Sequence, residues 1–119
     1  MRDLAGPDDC RALVDRFYTA VQADPLLGPV FASRIEQWDD HLATMTRFWS
    51  AVLFARPGYD GNPMRAHLGL ALEPAHFARW LALWRLAVTD LFWGPRADDA
   101  VDRAERIARV LARRLAEVA

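Results

Sequence analysis

Apolar residues recur at every third or fourth position along four long stretches of this chain, and no segment alternates apolar with polar over a useful length. A period near 3.6 cannot settle into strands, so the expected class is all-α. Leu13, Val14, Phe17, Tyr18 and Val21 form one such stripe and predict a first helix over residues 8 to 24. Asp8 and Asp9 stand where carboxylates cap free N–H groups, and Asp24-Pro25 ends the helix because a residue before proline is driven out of the helical region. The stretch PLLGPVF, Pro25 to Phe31, has two prolines and a glycine and predicts at most a short helical turn. A second helix is expected from about Ile35 to Ala55, with Trp38, Leu42, Met45, Trp49, Val52 and Leu53 on one face and His41, Met45 and Phe48 on an adjoining one. Arg56 to Pro63 reads as a loop of turns. Met64 to Leu70 can make a turn or two of helix after Pro63.

The third helix runs from Glu73-Pro74 to about Trp93, carrying Phe77, Trp80, Leu81, Trp84, Val88 and Leu91 on its stripe until Gly94-Pro95 stops it. The fourth is expected from Asp98 or Asp99 to the C-terminus, with Val101, Ala104, Ala108, Leu111, Leu115 and Val118 inward and most of its arginines outward. No repeats or low-complexity segments interrupt this order. Four main helices and two short connectors make one expected domain over residues 1–119, long enough to bury roughly two-thirds of the surface that its unfolded chain exposes.

Charge and cysteine content exclude several functions. Fifteen basic residues against sixteen acidic ones leave a formal net charge of -1, which gives no field for nucleic acid. Every basic residue apart from histidine is Arg, so lysine catalysis is unavailable. A single cysteine, Cys10, permits neither an internal disulfide nor a multi-cysteine metal site, and fits a reducing compartment. No apolar run approaches the ~20 residues that span a bilayer, and MRDLAGPDD has no leader pattern, so no membrane partner is expected and a cytoplasmic location is. No phosphate-binding glycine motif, CxxC or GxSxG occurs. The aromatic content stands out, with five Trp, six Phe and two Tyr in a chain that is 53% hydrophobic. An interior this rich in rings can house something large and apolar.

Imidazole chemistry is confined to His41, His67 and His76. His67 sits on a short element just past a Gly/Pro-rich loop, where an exposed polar residue is ordinary, and His41 flanks the apolar face of the second helix. Histidines on separate elements can face each other across a flat ligand if the loop folds back. Zinc is the weaker reading, because no HExxH-type spacing or cysteine accompanies them.

Five segments in order carry a resemblance: Phe17-Tyr18; Asp24 to Phe31, DPLLGPVF; Trp38 to Trp49, WDDHLATMTRFW; Tyr59 to Leu70, YDGNPMRAHLGL; and His76 to Trp84, HFARWLALW. Together they resemble the group III truncated haemoglobins, whose two-over-two helical sandwich holds haem b. The match covers about residues 10 to 93. The resemblance implies that the four main helices are the B, E, G and H helices, that residues 1 to 7 are a vestige of the first helix, and that the F helix shrinks to the region around His67.

It also implies site roles. His67 would be the proximal iron ligand, while Tyr18, His41 and Trp80 would face a diatomic gas such as oxygen or nitric oxide on the distal side. Phe31, Met45, Phe48, Met64, Arg65 and Trp84 would contact haem. Its propionates need a cationic or hydrogen-bonding partner, and Arg34, Arg65 and Tyr59 are near enough in sequence to be candidates. His76 is expected to be structural. One neutral imidazole leaves a sixth position on iron open. A phenol O–H and an indole N–H are suitable donors to a ligand that gains partial negative charge in a dry pocket. The implied function is reversible binding of oxygen and other diatomics, as in oxygen transport, with nitric oxide or peroxide redox chemistry dependent on an unknown reductase. The alternative is a helical protein-interaction module with an aromatic binding face.

Overall fold

The computed structural model describes residues 1–118 and places all of its regular structure in helices: α1 Pro7–Ala23, α2 Leu27–Arg34, α3 Trp38–Phe54, α4 Pro63–His67, α5 Pro74–Leu91 and α6 Pro95–Val118. Helices α1 and α3 pack as one pair and α5 and α6 as another, with α1 also lying against α5. Phe17, Leu13, Val14 and Val21 of α1 are fully buried at that junction, together with Trp49 of α3 and Trp84 of α5. The Trp49 and Trp84 rings stack at 4.3 Å between centroids, and Phe17 meets Trp84 edge-on at 5.1 Å.

On α6 the buried stripe is Ala97, Ala100, Ala104 and Ala108. Small side chains let α5 approach closely enough for the Trp84 indole N–H to donate to the Ala100 carbonyl at 3.0 Å. Val118, expected on the inward stripe, is 63% exposed where α6 outlasts its partner.

Five local expectations change. Residues 27 to 34 form a full eight-residue helix rather than a turn, because Asp24 supplies a cap: its Oδ2 accepts from the Leu26 and Leu27 N–H groups at 3.1 and 2.9 Å. Pro29 falls in the first turn, where a missing N–H removes no intrahelical bond. Gly28 is required by close approach, since a Cβ there would lie 3.0 Å from the Gln22 carbonyl oxygen.

Helix α3 begins at Trp38 rather than Ile35, and α5 ends at Leu91, leaving Trp93 77% exposed. Helix α6 begins at Pro95, earlier than Asp98, because its cap comes from the far end of the chain. Asp3 accepts from the Arg96 and Ala97 N–H groups at 2.8 and 2.9 Å. Finally, Asp9 does not cap α1. It is buried and accepts from the Ala5 N–H and from the Arg2 guanidinium, tying down the non-helical residues 1–6.

Candidate functional site

A cavity of about 340 Å³ opens between these helices, within the ordinary size range of a ligand site. It is walled mostly by apolar side chains, with histidines entering from α3, α4 and α5.

On the α1 and α3 side, Tyr18 and His41 are neighbours, with ring centroids 4.9 Å apart and planes at 82°. Phe31 of α2 closes on both, at 5.7 Å from Tyr18 and 6.5 Å from His41. Trp38, three residues before His41 on α3, lies 5.8 Å from the imidazole and 5.9 Å from Tyr18. His41 is therefore enclosed by three rings. Its Nε2 is buried without a hydrogen-bond partner among the described residues. Burial first, and the nearby His67 second, hold its pKa below the usual imidazole value, so the ring is neutral at pH 7. Burial likewise pushes the Tyr18 phenol well above its ordinary value, keeping it a hydrogen-bond donor.

His67 enters from the opposite element. Its Nδ1 lies 2.5 Å from the Pro63 carbonyl oxygen one turn earlier. A carbonyl only accepts, so Nδ1 must carry the proton and Nε2 keeps its lone pair. That is how protein frameworks orient a metal-binding imidazole. The helix holding it is short but capped: Pro63 occupies the first position and Asn62 Oδ1 accepts from the Arg65 N–H at 3.1 Å.

Met45, Phe48 and Trp49 line the cavity from α3, with Phe77 and Trp80 from α5 and Ile107 and Leu111 from α6. Trp80 continues the tryptophan stack, parallel to Trp84 at 6.2 Å. The two differ in how their N–H is used. Trp84 is fully buried behind the wall with its donor engaged on Ala100, whereas Trp80 faces the cavity. At the rim stand Arg34 and Tyr59, and Tyr59 is held edge-on to Phe48 at 5.1 Å.

Tyr18, His41, Trp80, His67, Phe31, Met45 and Phe48 thus come together around one cavity. Met64, Arg65 and Trp84 are not among its lining residues. Residues 63, 66, 67 and 70 share the cavity side of the short helix and the turn after it, which turns 64 and 65 away. Trp84 lies one turn past Trp80 and is covered by the core. His76, expected to be structural, does both things. Its Nδ1 accepts from the Glu73 N–H at 2.9 Å in a capping box, and its side chain lines the cavity. Trp38 and Trp49 were legible only as core aromatics. Only the i, i+3 spacing of Trp38 and His41 hinted at their contact.

The bacterial-like globin family model matches residues 3–113. The chain belongs to the bacterial-like globins. It is 32% identical over 101 residues to the group 3 truncated hemoglobin ctb of Campylobacter jejuni, covering 81% of this chain and 80% of that protein. Its structure is similar to the crystal structure of group III truncated hemoglobin from Campylobacter jejuni, with a TM-score of 0.89, 27% identity, and coverage of 97% of this chain and 95% of that one. The fold is that of a truncated globin. Among the described residues no helix is long and apolar enough to cross a membrane.

Proposed function

We propose that this globin binds haem b in the cavity through His67 Nε2 and takes oxygen or another small diatomic gas on the side of Tyr18, His41 and Trp80. The observation that carries the reading is the His67–Pro63 hydrogen bond, which directs one unprotonated nitrogen away from the helix that bears it. The orphaned Nε2 of His41, buried and facing the same cavity, agrees with a ligand between the two histidines. When bound, haem supplies an iron atom with a coordination position left open for a gas ligand.

The residues around it do the rest. Phe31, Met45 and Phe48 would keep water from a bound porphyrin, and Tyr59 and His76 would offer polar atoms to its propionates. The Tyr18 hydroxyl and the Trp80 N–H are donors that stabilise negative charge on the gas ligand. Strong donors slow its release, which favours redox chemistry on nitric oxide or peroxide over bulk oxygen transport. Redox turnover needs electrons from a separate reductase. A reducing compartment such as the cytoplasm fits the single, unpaired Cys10.

Absorption spectroscopy tests the reading. The purified chain should carry about one haem, since one proximal histidine is assigned. His67→Gly should lose it unless free imidazole is added, while His76→Ala should retain it. A colourless folded protein that refuses added haemin, or equal haem retention by His67→Gly without imidazole, overturns the assignment.

A further inference from the structure

The element that presents His67 is short, and among the described helices it packs against α6 alone. Helix α4 is five residues long, too short to be stable in isolation, and Arg65, Ala66, Leu68 and Gly69 around His67 are all exposed. A further hold comes from one side chain of α2. Arg34, the last residue of that helix, donates from Nη1 to the Ala66 carbonyl at 2.9 Å and from Nη2 to the Leu68 carbonyl at 3.0 Å. These are the backbone groups immediately before and after His67. They belong to the C-terminal end of α4, where carbonyls lack helical partners and a cation is favoured.

The other end of α2 is anchored as firmly. Asp24 caps it, and Arg79 of α5 donates to the same carboxylate at 2.6 Å. One turn before Arg34 stands Phe31, the ring that closes on Tyr18 and His41. A single eight-residue helix therefore carries a wall of the gas side and the tether of the opposite side.

We propose that Arg34 is a positioning residue for His67: its guanidinium bridges the Ala66 and Leu68 carbonyls, fixes the direction in which Nε2 points, and so sets the strength of the bond from His67 to iron. This deepens the haem reading and rests on it. A partner for a propionate needs only positive charge, which lysine keeps. Spanning two carbonyls needs the planar fork, which lysine lacks. The two roles are therefore separable by substitution.

The test compares Arg34→Lys and Arg34→Gln with the full unmodified chain. Resonance Raman of the ferrous haem protein reads the iron–histidine stretch, transfer to excess apomyoglobin reads haem loss, and hydrogen exchange of the haem-free chain reads the amides of residues 63 to 70. Both variants should shift or broaden the stretch, lose haem on the order of tenfold to a hundredfold faster, as loss of an outer partner of a metal ligand does, and exchange faster over 63 to 70. Exchange in the α1, α3 and α5 core should not change, because Arg34 is exposed and its hydrogen bonds go to Ala66 and Leu68. If Arg34→Lys superimposes on the wild type in stretch and exchange while Arg34→Gln loses haem, Arg34 acts by charge alone and the proposal is overturned. Identical behaviour of all three proteins overturns it as well. If the wild type itself takes up no haem, the haem reading fails, and the exchange data still decide whether Arg34 tethers the segment.

Discussion

Tyr18 of α1 and His41 of α3 meet edge to face with ring centroids 4.9 Å apart, so two polar side chains that line the cavity share one aromatic contact. Phe31 and Trp38 complete the enclosure. The pair thus packs as part of one aromatic cluster.

His41 should make the haem-free protein acid-sensitive. Burial and the neighbouring His67 lower its folded pKa, so the unfolded chain binds more protons wherever pH lies between that value and the unfolded value near 6.5. Stability should therefore fall as pH drops through this window, and His41→Leu should lose less over the same range. Urea denaturation of both proteins at pH 7 and pH 5.5 checks this. The substitution should also alter the rate of carbon monoxide association in the haem-loaded protein, since the imidazole lines the ligand's space. Equal rates would leave His41 as packing.

Asp24 should be a stability hinge. Burial pushes its carboxyl up, but the Leu27 N–H and the Arg79 guanidinium outweigh it and leave the group below the usual carboxylate range. Its stabilisation is then complete above the unfolded value near 3.9 and is lost as pH falls through the lower folded value. Asp24→Asn should cost about 1–2 kcal/mol at pH 7, below a fully buried charged pair because Arg79 is half exposed. Arg79→Ala should add little in the Asp24→Asn background, a non-additivity readable from denaturation midpoints.

Gly28→Ala should destabilise although alanine favours helices. The new methyl would stand 3.0 Å from one carbonyl oxygen of α1 and 3.4 Å from another, and backbone cannot swing aside as a side chain can. Overpacking of this kind costs roughly 1–3 kcal/mol. Equal or higher stability in thermal denaturation would show that the junction of α1 and α2 is looser than described.

The helical frame was legible because Leu13, Phe17 and Val21 on α1, and Trp80, Trp84 and Val88 on α5, repeat at helical spacing and tertiary packing did not contradict that pattern. What escaped depended on distant partners. Residues 27 to 34 look like a proline-broken turn until the carboxylate of Asp24, steadied by Arg79 from α5, is seen to cap them. The start of α6 rests on Asp3, at the opposite end of the chain. Within the site, Tyr18, His41 and Trp80 lie on long helices whose inward faces are set by many neighbours. Met64 and Arg65 lie on a five-residue helix, where no periodicity is long enough to tell which side faces in. His76 defeated a choice between structural and site roles because one nitrogen caps α5 while the side chain lines the cavity.

Tyr18 and Trp80 should jointly slow oxygen release. Both line the cavity, Tyr18 is 3% exposed, and its phenol is held protonated by burial. A buried donor must find a partner, and the gas ligand is the partner proposed here for both. Hydrogen bonds to charged acceptors contribute roughly 1.5–3 kcal/mol, so at ~1.4 kcal/mol per factor of ten Tyr18→Phe should speed dissociation by about ten- to a hundredfold. Trp80→Phe should act in the same direction, with an added packing effect because its ring belongs to the stack with Trp84. Two donors addressing one small ligand cannot both be fully effective, so the double variant should be faster than either single but slower than their product. Stopped-flow oxygen dissociation on the four haem-loaded proteins decides it. Unchanged rates in both singles would return Tyr18 and Trp80 to core packing, and strict additivity would mean that they act on the ligand through separate routes.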